Sequence, residues 1–276
     1  MLETWQTFYE WHDPVIFTIG VFSLRWYGLM YVTALVAGYL WGRRMVRLGR
    51  WRPMTLDRFE SLFIWFVIGA ILGARIGYVI FYDRANAAYL FSHPWQIFNP
   101  FAGDQIGISG LSYHGAIAGV VVSLLLFARR YRFKVWFLFD LAAVSGSAGY
   151  VFGRIGNFLN AELIGRETTM PWGVLADGVL RHPSALYEAF LEGVVIFAIL
   201  TFFYQKRKFD GQMAMLYLAL YAIARIIVEF FRAPDSQLGF IAFGQITMGQ
   251  ALSLAMLAAA LATYFYLRHA SNSKRG

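Results

Sequence analysis

The sequence predicts an all-α polytopic membrane protein with seven transmembrane helices, its N-terminus outside and its C-terminus in the cytoplasm. Three observations carry this reading. Composition is the first: 59% of the 276 residues are hydrophobic and 14% charged, against about 45–50% and about 25% in soluble globular proteins. The second is a series of apolar runs at about residues 20–40, 61–81, 111–128, 135–152, 184–204, 212–231 and 246–267, each near the roughly 20 residues that a helix needs to cross hydrocarbon. Backbone groups in lipid must pair within their own segment, and the runs lack the ten-residue alternation of a membrane barrel, so helices are the natural form. Third, the cations cluster: Lys and Arg number six between the first two runs, four after the third, three after the fifth and three in the tail. All of these fall on one side of a seven-span chain, which the positive-inside rule assigns to the cytoplasm.

Each element follows in order. The first nineteen residues carry Glu3, Glu10 and Asp13 but no Lys or Arg, so they lack the basic start of a cleaved signal peptide and are expected to remain. Trp5, Phe8, Tyr9 and Trp11 suit an arm at the lipid headgroups. The outward connections are then 82–110, 153–183 and 232–245, the two longest rich in Gly, Pro, Asn and aromatic residues. Residues 1–276 form a single membrane domain with no internal repeat. Gly69, Gly73 and Gly77 recur at every fourth position, a spacing that lets another helix approach closely. Cysteine is absent, which removes disulfides, thiolate metal sites and a cysteine nucleophile from consideration. The net charge of +8 is explained by topology, and no nucleic-acid module accompanies it.

Charged and polar residues in lipid are costly and mark function or pairing. Eight arginines lie outside the cytoplasmic clusters, at outward helix ends or in outward loops. Arg25 and Arg75 sit close enough to an outer end to snorkel. Arg225 lies about two turns inside the sixth run, with Tyr221 and Glu229 at i−4 and i+4, so the three share a face and Arg225 can pair with Glu229. Tyr27, His114 and Glu188 open the first, third and fifth runs near the same surface. Asp140, in the cytoplasmic half, reads as a packing or folding residue. Ser145 and Ser147, which with His114 would suggest an intramembrane protease, read as helix contact points in a Gly-rich segment.

The densest polar stretch is GRIGNFLNAELIGR at 153–166. Its glycines allow close backbone approach, its arginines offer planar forks that match a phosphate, and its asparagines both donate and accept. A phosphate-bearing ligand at the outer leaflet follows. This segment resembles the signature of the bacterial prolipoprotein diacylglyceryl transferases. WYGLMY at 26–31, GARIGYVIFY at 73–82, SYHG at 112–115, RHPSALYE at 181–188, RIIVEFFRAPD at 225–235 and TMGQ at 247–250 extend the resemblance along most of the chain. Two departures are Ala185, where many relatives carry Gln, and Ala161, where Gly is frequent; neither removes a charge.

The resemblance implies an inner-membrane enzyme, its site facing the periplasmic leaflet. It would move the diacylglyceryl group of phosphatidylglycerol to the lipobox cysteine of a prolipoprotein signal peptide, forming a thioether and releasing glycerol 1-phosphate. The family's important positions fall on Tyr27, His114, Arg154, Asn157, Glu162, Gly165, Tyr221, Arg225 and Glu229. Arg154, Arg225, Gly165 and Tyr221 would bind substrate, and no cofactor or metal is implied. A thiol with pKa near 8.5 needs a base, a role for which His114 competes with Glu162. Fixed guanidiniums at Arg154 and Arg225 would stabilise the departing phosphate. A transporter of anionic solutes is the rival class, but it calls for polar groups across both leaflets, whereas here nearly all fall in the outer half.

Overall fold

The structure, a computed structural model, describes residues 2–99, 101, 110–234, 239–242 and 246–273. Within these, two short helices, α1 (Leu2–Gln6) and α2 (Phe8–Trp11), precede strands β1 (Val15–Ile19) and β2 (Phe22–Arg25) and the long helices α3 (Trp26–Arg47) and α4 (Leu56–Phe81). After α5 (Arg84–Ser92) and α6 (Pro94–Ile97) come α7 (Tyr113–Tyr131) and α8 (Val135–Leu159), then strands β3 (Val174–Ala176) and β4 (Val179–Arg181). A helix from Ser184 to Lys206 runs as α9 (Ser184–Glu188), a π-helical stretch (Ala189–Val195), α10 (Ile196–Phe203) and a closing 3₁₀ turn. The chain ends with α11 (Gln212–Glu229), strands β5 (Phe240–Ala242) and β6 (Ile246–Thr247), and α12 (Met248–Asn272).

Among the described residues six helices are long and apolar enough to cross a membrane: α4, α7, α8, Ser184–Lys206, α11 and α12. The 22-residue α3 is not one of them: its sequence is interrupted by Tyr27, Tyr31, Tyr39 and three glycines and ends in Arg43, Arg44 and Arg47. Two boundaries differ from expectation. The first run, expected as helix from about residue 20, becomes helical only at Trp26, because Val, Ile, Phe and Thr around a left-handed Gly20 (φ 60°) favour extended chain and a turn. The fourth helix continues to Leu159 rather than stopping near 152, so Arg154 and Asn157 sit on its last two turns and not in a connecting loop.

By compactness the chain divides into two units. The second comprises residues 17–23 and 43–138. At its centre α4 and α7 run antiparallel with Gly69, Gly73 and Gly77 facing Gly119 and Gly115. A Cβ on Gly69 would stand 2.7 Å from Ser123 Cβ, and one on Gly73 2.7 Å from the Gly119 Cα, so the glycine spacing read from sequence does permit close approach. Thr55 and Ser112 cap the two helices by accepting from Arg58 N and Gly115 N. Arg75 is half-buried and bonded to backbone: its Nε donates to Ile97 O at 2.5 Å and an Nη to Gly110 O at 3.2 Å. Those bonds hold α6 to α4 beside a small core of Val79, Leu90 and Ile97.

The first unit comprises residues 1–16, 24–42 and 139–276, and it positions the polar cluster described below. Here α3 meets α8 through small residues, with Gly38 against Ser145 O, Gly149 against Ala34 and Gly156 against Met30. Ser145 thus lies in this helix seam, and Ser147, buried as well, returns its hydroxyl to Val144 O. Asp140, fully buried, accepts from Gly211 N and Ala214 N at 2.8 Å each. It therefore caps α11, the folding role that its position suggested. Rather than leaving every aromatic at the surface, the N-terminal arm packs Trp5, Phe8 and Tyr9 on Phe158, Val174 and Ala185. Trp5 and Gln6 also donate to the carbonyls of Trp172 and Pro171. Asp177 and Gly178, both at positive φ (52° and 79°), close the β3–β4 hairpin with the twist that two-residue turns require.

Candidate active site

Glu188 organises the site. It is fully buried at the end of α9, where an ionised carboxylate survives only with partners. It has three: Arg154 Nη1 from α8 at 2.9 Å, Arg225 Nη1 from α11 at 2.7 Å, and Arg232 Nη1 just beyond α11 at 3.1 Å. Glu229 completes the i,i+4 pair with Arg225 at 3.0 Å, as the spacing in α11 predicts. Glu192, also fully buried, accepts from the Tyr150 hydroxyl and lies 3.7 Å from Arg154 and 3.9 Å from Arg225. Tyr150 in turn accepts from Arg154 Nε and Nη2 at 2.8 and 2.6 Å. Three carboxylates and three guanidiniums thus balance formally, which allows so many charges to share an apolar surrounding.

The π-helical turn starting at Ala189 explains how one helix presents both acids. A π segment widens the helix to i→i+5 bonding, and Glu188 just before it and Glu192 at its middle both reach the arginines of α8 and α11. Backbone on the other side is fixed by three strands of chain. Gly165 N donates to His182 O at 2.9 Å, His182 N to Arg166 O at 2.9 Å, and Arg166 N to Phe231 O at 2.8 Å. The Arg166 guanidinium then binds the carbonyls of Arg232 and Glu229. A Cβ on Gly165 would stand 2.6 Å from His182 O. Gly165, expected as a substrate contact, is required here for the close approach of these three segments. Burial holds the His182 imidazole below its ordinary pKa, while its Nδ1 pairs with the Tyr187 hydroxyl at 3.0 Å.

The TMGQ motif belongs to the same site. Thr247 Oγ1 donates to Glu229 Oε1 at 3.0 Å and accepts from Gln250 N, whose own side chain returns to Thr247 N. This capping box starts α12 and anchors Glu229 at once. Gly249 leaves the space: a Cβ there would fall 2.6 Å from Glu229 Oε1.

Asn157 and Glu162 form a second centre. Asn157 Nδ2 donates to one Glu162 oxygen at 2.8 Å and Asn160 Nδ2 to the other at 2.6 Å. Glu162 lies between two left-handed residues, Ala161 (φ 53°) and Leu163 (φ 59°), a conformation that L side chains adopt rarely and at a cost. Ala161 is therefore a strained position. Tyr27 donates to Tyr31 at 3.1 Å and lies within electrostatic reach of both Glu162 and Arg154. Tyr221 meets the Tyr150 ring edge-on at 5.9 Å. His114 belongs to the second unit, on the first turn of α7, exposed and beside the Tyr113 ring.

The structure thus gathers Arg154, Arg225, Glu229 and Tyr221 in one cluster and Asn157 with Glu162 in another, with Tyr27 in reach of both. Sequence reasoning gave no part to Glu192 or Tyr150, placed Glu188 near the outer surface without a role, and counted Arg232 only as one of the eight outward arginines. The signal was present in YEAFLEG, where two acids four residues apart interrupt a long apolar run.

A family model described as prolipoprotein diacylglyceryl transferase matches residues 14–266. The phosphatidylglycerol--prolipoprotein diacylglyceryl transferase of Wolinella succinogenes is 51% identical over 271 residues, 98% of each chain. Proteins of the same name from Aliarcobacter butzleri and Campylobacter curvus are 48% and 47% identical over 268 residues, 97% of this chain and 98% of theirs.

Proposed function

The chain belongs to the prolipoprotein diacylglyceryl transferase family, and from that premise we propose how its residues divide the work. It is an enzyme that transfers the diacylglyceryl group of phosphatidylglycerol to prolipoproteins, the first step of lipoprotein maturation. The acceptor in our reading is the thiol of a lipobox cysteine. Its sulfur attacks the sn-3 glycerol carbon, the bond from that carbon to the phosphate oxygen breaks, and glycerol 1-phosphate departs.

The observation that carries the assignment is the clamp of Arg154, Arg225 and Arg232 on the one buried carboxylate of Glu188. A guanidinium has five N–H donors, and those not spent on Glu188, Tyr150, Glu192 and Glu229 are held in fixed directions. The leaving phosphate gains charge as its bond breaks, and donors already oriented in a low-dielectric site stabilise that charge without reorganising. Glu188, Glu192 and Glu229 are then positioning residues for the arginines. Asn157 fixes Glu162, and Tyr27 and Tyr221 line the approach. His114 takes the thiol proton, a role supported by imidazole chemistry and the family resemblance. With Glu162 already accepting from two amides, its oxygens are less available for that task.

We further propose that α3 is the seventh span and that the site faces the periplasmic leaflet of the inner membrane, with the cation-rich connections in the cytoplasm. Purified protein incubated with phosphatidylglycerol and a lipobox peptide tests the function: mass spectrometry should find a diacylglyceryl adduct on the peptide cysteine, and its absence would overturn the reading. For His114, the folded His114→Asn variant should lose turnover at neutral pH. Its residual rate should rise roughly tenfold per pH unit below the thiol pKa of ~8.5. A wild-type rate and pH profile would remove His114 from the mechanism.

A further inference from the structure

The second unit carries a concentration of cations that the transfer reaction does not use. Residues 43–60 and 129–134 hold ten Lys and Arg against two acids, Asp57 and Glu60, and Glu60 already binds Arg43 at 3.1 Å. Antiparallel packing brings the start of α4 and the end of α7 to one corner. There the Arg58 guanidinium lies 4.3 Å from the centre of the Tyr131 ring and Arg130 lies 5.3 Å from the same centre. Among the described residues neither Arg58 nor Arg130 is in an ion pair. Two like charges on one ring repel each other, and an anion between them relieves that repulsion. Topology alone explains the number of cations but not their convergence on one aromatic ring.

The surface next to this corner says which anion fits. On α7, Val122 and Leu126 precede Arg130 at successive i+4 positions, so the three share one helix face. Val122 and Leu126 are 54% and 51% exposed. An apolar stripe two turns long that ends in a pair of guanidiniums matches a molecule with an acyl chain below and a phosphate above.

We propose that the Arg58–Tyr131–Arg130 corner binds the phosphate headgroup of an anionic phospholipid, whose chain lies along Val122 and Leu126. None of the residues assigned to the transfer reaction takes part, so this lipid is a bound neighbour and not a substrate. The chain has no cysteine, which makes the test direct: Val122→Cys accepts a single bimane label. In nanodiscs, its quenching by chain-nitroxide phosphatidylserine is compared with that by chain-nitroxide phosphatidylcholine. Phosphatidylserine should be preferred, and Arg58→Gln with Arg130→Gln should lower the preference roughly thirtyfold, about fivefold for each cation at an anionic headgroup. Tyr131→Leu, which keeps both charges, should lower it by less, and it serves as the second variant if the double one does not fold. Diacylglyceryl transfer by each labelled protein reports folding independently. Equal quenching by the two lipids, or a preference that survives loss of both arginines, overturns the proposal. So does a preference abolished by excess inorganic phosphate, which would make the corner a free-phosphate site.

Discussion

The α4–α7 seam and the Glu188 cluster hold helices together by opposite means. In the seam, side chains are removed: Gly69, Gly73, Gly77, Gly115 and Gly119 let two backbones touch, and attraction comes from many weak contacts at short range. In the cluster, charge is added: three helices and the chain after α11 converge because each acid needs an arginine and each arginine an acid. The seam should therefore be intolerant of volume and the cluster intolerant of a change in charge or shape. A packing defect lowers the amount of folded protein, whereas a cluster defect lowers the work per molecule.

The largest effect should come from the seam. Gly73→Leu places a side chain where even a Cβ would stand 2.7 Å from Gly119 Cα. Backbone cannot yield as a flexible side chain does, so membrane immunoblots should show little folded protein. Normal abundance would mean that the seam can open.

Arg154→Lys sharpens the contrast. Lysine keeps the charge but loses the planar fork that reaches Glu188 and Tyr150 together. Turnover should drop about 10²–10³-fold, the usual cost of losing one preorganised donor to a developing charge, while abundance stays within about twofold. A parallel fall in both quantities would make the cluster structural and erase the distinction. Thr247→Ala is the mildest break. It removes the bond to Glu229 and one half of a capping box, a loss of about 1 kcal/mol. A thermal midpoint a few degrees lower should accompany a modest fall in turnover, because Glu229 keeps Arg225. An unchanged midpoint and rate would show that Gln250 alone holds the start of α12.

Local chemistry was legible in the sequence and convergence was not. The i,i+4 pair of Arg225 and Glu229 and the glycine spacing of α4 can be read from one segment because helical geometry fixes them, whereas Asp140 showed only that it packs, since the helix it caps begins about 70 residues later. The signature at 153–166 likewise announced its polar purpose. The partnership of Arg154 with Glu188 joins residues on different helices, and no periodicity encodes which span faces which. The left-handed backbone at Ala161 and Leu163 was hidden for another reason: neither residue type favours it, so it is imposed by the surrounding fold. Residues 20–25 fall within the first apolar run because hydropathy alone does not separate a short strand from the start of a helix.

The widened turn from Ala189 to Val195 acts as a phase setting. Each residue of an α-helix advances the side chains by about 100°, so deleting one residue from this stretch would rotate everything before it against everything after it by about that angle. Glu188 would swing away from the guanidiniums while every amino acid that makes the cluster remained in the chain. The azimuth of the site is stored in a residue count, a variable that substitutions leave unchanged and only insertions or deletions can alter.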